Sequence, residues 1–420
     1  MQHSIEPERF GPQGDAMAHQ VKTCVHCGFC LPVCPTYKDL GQEMDSPRGR
    51  ILLMKEMLEG SLEIEAGLPY VDKCLGCMAC VTACPSGVEY GELLTPFRAL
   101  ARDQVKGTLL DRLTRLSFRL LLPYPRRFRA AAILGRLARP FTGMLPDRMA
   151  AMLELLPRRL PSSPPLPSVY PALGSRRARV ALLSGCVQQV LSPAINWATL
   201  RVLALNGVEV IVPAEQGCCG ALALHNGDAG QARQLAVRNF GTIPADVDAI
   251  ITNAAGCGSG IKEYPLLFRG HGLEGEARRF SACVQDVSVF LEDLGLEQDP
   301  PPLPAAMRVA YHDACHLAHA QGIRSAPRKL LERIPNLTLM ELMDGETCCG
   351  SAGTYNLEQP EIANRLGANK AAVIEKVQPD AVAAGNVGCL MQIESHLRRR
   401  NSTLPVLHTV ELLNRAYESA

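Results

Sequence analysis

The chain has 420 residues, more than one ordinary core accommodates, so two to four domains are expected. Its 43 Lys and Arg against 42 Asp and Glu, with Trp197 the single tryptophan, give no pull toward nucleic acid and no platform for stacking bases. Seventeen cysteines follow an N-terminus, MQHSIEPERFGPQGDAMAHQ, that lacks an apolar stretch, and no run is long enough to span a bilayer. A reducing, cytoplasmic setting is therefore expected, in which clustered cysteines bind metal rather than one another.

Residues 1–103 form the first unit and hold eight of the cysteines. Cys24, Cys27, Cys30 and Cys34-Pro35 make one run, and Cys74, Cys77, Cys80 and Cys84-Pro85 the other. Both have the spacing C-x2-C-x2-C-x3-C-P of a two-cluster ferredoxin. Two-residue gaps let successive thiolates wrap three irons of one cube, and the proline turns the fourth cysteine toward the other cube. The expected sets are Cys24, Cys27, Cys30 and Cys84 for one [4Fe–4S] cluster, and Cys74, Cys77, Cys80 and Cys34 for the second. Zinc sites also use C-x2-C pairs, but do not need four cysteines in one run followed by proline, twice over. His26 reads as a neighbour that tunes hydrogen bonding. Ser46-Pro47 predicts a helix start for RGRILLMKEMLE, ending at Gly60, and Thr95-Pro96 a second start for FRALARDQVK, ending at Gly107. The cysteine runs thus lie among helices.

Residues 104–175 lack cysteine and end in a Pro-rich loop or linker, PSSPPLPSVYPALGS. Residues 106–160 carry twelve Lys and Arg against three Asp and Glu. This basic, amphipathic stretch suits an anionic membrane surface or an acidic partner. The favoured reading is helices packed over the ferredoxin unit with solvated arginines.

Residues 176–300 and 301–420 are an internal repeat. ARVALLSGC and MRVAYHDAC end at Cys186 and Cys315, 129 residues apart; the Cys-Cys-Gly motifs at Cys218-Cys219 and Cys348-Cys349 are 130 apart; Cys257 and Cys389 are 132 apart. Strands alternating with helices predict two α/β domains with parallel sheets. Cysteines at strand ends then gather along one sheet edge, bringing Cys186, Cys218, Cys219 and Cys257 together, and likewise Cys315, Cys348, Cys349 and Cys389. Four thiolates could hold a cubane cluster, zinc or nothing. Vicinal cysteines bridge separate irons more readily than they chelate one ion, which favours iron. The second copy crowds His312, Asp313, His316 and His319 around Cys315 and is the better candidate. Cys283 lacks a counterpart and reads as a core residue.

The Cys-Cys-Gly signature resembles the cysteine-rich domain of heterodisulfide reductases. In its fullest form that motif closes with C-x-x-C; here the last position is Gly260 in one copy and Gln392 in the other. This departure argues against disulfide-reductase chemistry. CGFCLPVCPTY, DSPRGRI, CLGCMACVTACPSGVEYGEL and GNVGCLMQ resemble the family of glycolate oxidase (glycolate dehydrogenase) iron–sulfur subunits, across nearly the whole chain. The resemblance implies a subunit working beside two flavoprotein-type subunits and passing electrons from flavin toward a quinone, with peripheral association at the cytoplasmic face of the inner membrane as a further expectation. Equivalent subunits of glycerol-3-phosphate or D-lactate dehydrogenases share the domain order and are the rival reading. The chain itself shows no nucleotide fingerprint, Walker loop or nucleophile elbow, so it is not expected to be catalytic alone.

Overall fold

The computed structural model describes residues 1–144, 152–157 and 159–419. The N-terminal region is helical: α1 (Gly14–Thr23), α2 (Pro35–Leu40), α3 (Pro47–Glu59), α4 (Ile64–Asp72), α5 (Ala79–Thr82) and α6 (Tyr90–Gln104), with the cysteine loops between them. α3 starts and stops where its sequence predicts. The Ser46 hydroxyl accepts from the Gly49 N–H at 2.9 Å, and Gly60 closes the helix in the left-handed region. α6 differs from expectation. It begins at Tyr90, with Pro96 inside it. Buried Tyr90, Leu93, Leu94 and Phe97 hold the helix against the N-terminal core and outweigh the hydrogen bond that Pro96 cannot donate. Thr95, rather than capping, donates its hydroxyl to the Glu263 carboxylate at 2.8 Å.

The basic stretch forms two helices, α7 (Leu109–Leu121) and α8 (Pro125–Ala138), packed on each other. Arg112, Arg119, Arg126 and Arg127 are solvated as expected, but α8 packs on Gln188–Leu191 of the first cysteine-rich domain, not over the ferredoxin unit, and α7 turns its leucines outward. The Pro-rich segment is not wholly loop. Val169–Tyr170 forms β1 and pairs antiparallel with Ile211 and Val210.

Two parallel sheets follow. The first contains β2 (Ala178–Leu183), β3 (Val208–Ile211), β4 (Ala249–Thr252) and β5 (Val284–Asp286), in order β1-β3-β2-β4-β5. The second contains β6 (Met307–His312), β7 (Leu337–Glu341), β8 (Ala381–Ala384) and β9 (Val406–His408), in order β7-β6-β8-β9. Central strands such as AIIT and AVAA are buried at every position, as sheets covered on both faces require. The chain changes direction at β2 in the first sheet and at β6 in the second, so the carboxyl ends of β2 and β4, and of β6 and β8, flank a topological switch point.

The two domains pack reciprocally. The helix Ala194–Leu205 of the first lies on Thr409–Tyr417 of the second, and Val287–Leu294 lies on Ser325–Glu332. One apolar core runs through both sheets. This arrangement is that of an isologous dimer within one chain, and it turns the two switch points toward each other. Cys283 is not in the core. It ends the helix Glu274–Cys283 and is exposed, because that helix buries Ala277, Phe280 and Ser281 instead.

Candidate metal centres

Both N-terminal cysteine loops have the same backbone. His26 and Gly28 in one, and Gly76 and Met78 in the other, adopt positive φ. Such alternation turns successive N–H groups to one side, a concavity suited to an anionic group. Gly76 N–H donates to Cys74 Sγ and Val88 N–H to Cys84 Sγ, each at 3.4 Å. One cleft is lined by Cys24, Cys27, Cys30 and Cys84, and a second by Cys34, Cys74, Cys77 and Cys80, with Cys80 bordering both. The fourth cysteine of each run therefore sits with the first three of the other.

Burial raises the Cys24 thiol, with the Cys84 and Cys27 sulfurs adding to the shift, and pushes Cys30 up to about 11. Burial, then Cys77, Cys74, Cys34 and Cys30, drives Cys80 well up. Sulfurs so placed cannot all ionise in a dry site unless positive charge is supplied among them, and iron supplies it. Sulfur spacing, inward N–H groups and this charge demand all fit a cubane in each cleft. Arg50, fully buried, stands beside the second. Its Nη1 lies 4.0 Å from Cys34 Sγ and donates to Thr36 Oγ1 at 2.9 Å, and its Nε donates to the Tyr70 carbonyl at 2.7 Å. Asp45, also fully buried, faces it at 3.5 Å. His26 lines the first cleft with its Nε2 buried and without a hydrogen-bond partner; its carbonyl accepts from Arg48 at 3.3 Å, and burial followed by the Arg48 charge lowers its imidazole pKa.

The repeated cysteines also converge. In the first copy Cys218 Sγ lies 3.2 Å from Cys186 Sγ, and Cys219 bonds to both Cys218 and Cys257. The second copy repeats this chain of sulfurs as Cys315, Cys348, Cys349 and Cys389. Cys257, Cys315 and Cys389 fall in the first turns of the helices Ala255–Lys262, Cys315–Ala318 and Val387–Arg399, a step beyond the strand ends. Hydrogen bonds from Cys218 and Cys257 hold Cys219 well below the usual thiol range, and Cys348 and Cys389 do the same for Cys349. Each Cys-Cys-Gly needs its glycine. Gly220 and Gly350 have φ +79° and +87°, and a Cβ would stand 3.0 Å from the Ala232 carbonyl oxygen or 2.7 Å from that of Ala363.

The copies differ in their surroundings. His312, 0% exposed, pairs Nδ1 with the Gly345 carbonyl at 3.1 Å while its Nε2 lacks a hydrogen-bond partner. A ring nitrogen lies within 4.8 Å of the Cys349 and Cys389 sulfurs. Lys370, also buried, is held by the Asp344 and Gly345 carbonyls close to the same sulfurs. At the matching offsets the first copy has Leu183 and Phe240, and Phe240 belongs to an aromatic cluster with Tyr264, Phe268 and Phe280. The position of a fifth cysteine is closed in the first copy and occupied by another polar side chain in the second. A Cβ at Gly260 would collide with Ala221 Cβ, and Gln392 is buried, with hydrogen bonds to Asn356 and the Ala363 carbonyl.

One cavity of 620 Å³ joins these features, opening onto both quartets and Cys74. His316 closes it as a clasp between three parts of the chain. Its Nε2–H donates to the Gly76 carbonyl at 3.0 Å, and its Nδ1 accepts from the Ser259 hydroxyl at 2.5 Å. Burial, then the neighbouring His225, holds it down to about 4, so it stays neutral. His319 pairs with Thr82 and Glu346, and Asp313 takes both Nη groups of Arg328 at 2.7 and 2.8 Å. Of the group around Cys315, only His312 therefore faces sulfur. The sequence reading missed Arg50 and Lys370, since a cation in an amphipathic helix normally reads as solvated; the mismatch with Phe240 in the repeat was the available signal for Lys370.

Comparison with known proteins agrees with this layout. A 4Fe-4S dicluster domain model matches residues 20–88, and a cysteine-rich domain model matches residues 180–262 and 309–394. The chain is 36% identical over 403 residues to the glycolate oxidase iron–sulfur subunit of Escherichia coli (strain K12), covering 95% of this chain and 94% of that one. It is 35% identical over 414 residues to the probable glycolate oxidase iron–sulfur subunit of Bacillus subtilis (strain 168), covering 94% and 93%. The crystal structure of a hypothetical protein from Helicobacter pylori shares the fold, with a TM-score of 0.53 at 9% identity over 97% of this chain and 72% of that one. Cysteine spacing, fold and whole-length similarity lead to one conclusion: the chain belongs to the glycolate oxidase iron–sulfur subunit family, with a two-[4Fe–4S] ferredoxin domain followed by two cysteine-rich domains.

Proposed function

We propose that this chain is the electron-transfer subunit of a flavoenzyme complex that oxidises glycolate to glyoxylate. Two flavoprotein-type subunits bind the substrate and flavin. Glycolate gives up two electrons and two protons to the flavin, and the clusters accept the electrons one at a time and pass them toward a quinone at the membrane. The carrying observation is the crossed pair of cysteine tetrads, with Cys24, Cys27, Cys30 and Cys84 lining one cleft and Cys74, Cys77, Cys80 and Cys34 the other; on this reading each tetrad holds one cubane. The functional units are residues 1–103, 104–175, 176–300 and 301–420. Cys30 beside Cys80, and Cys77 beside Cys315, mark a continuous route from the first tetrad through the second to the cysteine-rich domains.

The isolated chain should not reduce a dye with glycolate, and adding the flavoprotein subunits should restore turnover; dye reduction by flavin-free chain alone would end the proposal. Cys34→Ser and Cys84→Ser should each alter the spectrum of the tetrad opposite their own run. A further iron–sulfur centre at Cys315, Cys348, Cys349 and Cys389 is favoured over one at Cys186, Cys218, Cys219 and Cys257, because only the second copy offers the unpartnered His312 Nε2 and the charge of Lys370.

A further inference from the structure

α7 is inside out. Leu109, Leu113, Leu116 and Leu120 recur along one face of the helix and are 73%, 54%, 49% and 45% exposed. The opposite face buries Phe118 and carries Asp111, Thr114 and Arg115, which line the inner cavity. The inward face therefore already has its own apolar anchor, and the outward leucine stripe is surplus to packing within the chain. α8 extends the exposed apolar surface with Leu134 and Leu137, 67% and 70% exposed. Eight of the nineteen exposed large apolar side chains among the described residues lie between Leu109 and Leu137, a density that random surface leucines do not produce.

The charge around the stripe identifies its occupant. Arg112, Arg126 and Arg127 are exposed, and none pairs with a carboxylate among the described residues. A leucine face accompanied by exposed arginines that lack carboxylate partners matches the interface of a bilayer, where apolar side chains enter the acyl boundary and cations meet lipid phosphates. A protein partner would have to supply an apolar groove and several carboxylates in register; an anionic bilayer offers an apolar boundary and phosphates at every point of its surface. No helix among the described residues is long and apolar enough to cross a membrane, so the contact is one of surface docking.

We propose that the α7–α8 hairpin docks this chain on an anionic lipid surface through its outward leucine stripe. This deepens the electron-transfer reading by naming the element that meets the membrane. The inward face of α7 borders the cavity onto which both cysteine quartets open, so docking brings that cavity within about one helix diameter, ~10 Å, of the headgroups. A lipid-soluble electron acceptor would then have a short path to the sulfur sites.

The test is flotation of the full, anaerobically loaded chain with vesicles of phosphatidylcholine alone or with 30% phosphatidylglycerol. Wild type should float with the anionic vesicles, and less so as salt is raised. Leu113→Ser, Leu116→Ser and Leu120→Ser combined should lower the bound fraction at least tenfold while leaving iron content and visible spectrum unchanged. Arg126→Ser with Arg127→Ser should weaken binding and flatten its salt dependence. The proposal is overturned if wild type stays in solution at low salt, or if the triple-serine chain floats equally well. It is also overturned if the triple-serine chain keeps its lipid binding but releases the flavoprotein subunits, since the stripe would then be a protein interface. Chain that floats but holds no iron would sink the electron-transfer reading and leave the docking element standing.

Discussion

Replacing Arg50 with Met removes the cation that stands between the second tetrad and Asp45. Asp45 is fully buried and would retain only Lys73, which reaches its Oδ2 at 3.3 Å and is itself 30% exposed. Stripping one partner from a buried pair costs about 3–5 kcal/mol, because the remaining charge is left in a dry site. Lys73 keeps the value near the lower bound. The Thr36 hydroxyl and the Tyr70 carbonyl also lose donors, at about 1 kcal/mol each. The double variant Arg50→Met/Asp45→Asn leaves no stranded charge, so only the last two losses, about 2 kcal/mol, should remain. The assay is anaerobic urea unfolding followed through the visible absorbance of the clusters. At a slope of about 2 kcal/mol per molar, the single variant should shift its midpoint down by about 2.5 M and the double by about 1 M. The single variant should also lower the potential of the adjacent cluster, since a positive charge near Cys34 and Cys74 favours the reduced, more negative state. If the double variant is as unstable as the single or worse, the assignment of Arg50 and Asp45 as a compensating pair is wrong.

The remaining predictions follow from local geometry. His408 caps the helix Thr409–Tyr417 by accepting from Val410 N–H at 3.2 Å, and burial holds its imidazole down to about 4. The folded state thus binds fewer protons than the unfolded one between pH 4 and 6.5. Its stability contribution is complete above about 6.5, and about 2 kcal/mol is lost by pH 5. His408→Asn retains a cap and should lose about 2 kcal/mol less than wild type between pH 7.5 and pH 5, measured by chemical denaturation; equal losses would remove His408 as the cause. Gly350→Ala should cost more than about 2 kcal/mol, since left-handed strain adds to a clash with the Ala363 carbonyl. Gly322→Ala, with φ +69° and open space around it, should cost only about 1 kcal/mol. Thermal midpoints of the two variants compare them directly, and equal shifts would dismiss the close approach at Gly350.

Much of this architecture was legible because metal ligands impose spacing. Eight cysteines in two C-x2-C-x2-C-x3-C-P runs leave few alternatives, and the offsets near 130 exposed the duplication before any strand was placed. Ser46-Pro47 and Gly60 marked a helix correctly because capping is local chemistry. Thr95-Pro96 misled because tertiary burial of Tyr90 and Leu93 overrode a local signal. Val169–Tyr170 was hidden for a similar reason: its pairing partner lies about forty residues away on β3. The convergence of each quartet followed from parallel-sheet geometry. That both quartets would share one cavity did not, since it depends on the reciprocal packing of the two domains. The outward leucines of α7 were also beyond reach, because periodicity shows that a helix has an apolar face and not which way that face points.

The account rests on two cubanes in the N-terminal domain, and iron, zinc and acid-labile sulfide analysis of the anaerobically purified chain, joined to Mössbauer spectroscopy, tests this most directly. About eight irons and eight sulfides should remain when Cys315, Cys348, Cys349 and Cys389 are all replaced by Ser, with the iron in [4Fe–4S] form and bleaching under dithionite. Stoichiometric zinc without labile sulfide, in wild type as in the variant, would contradict the account.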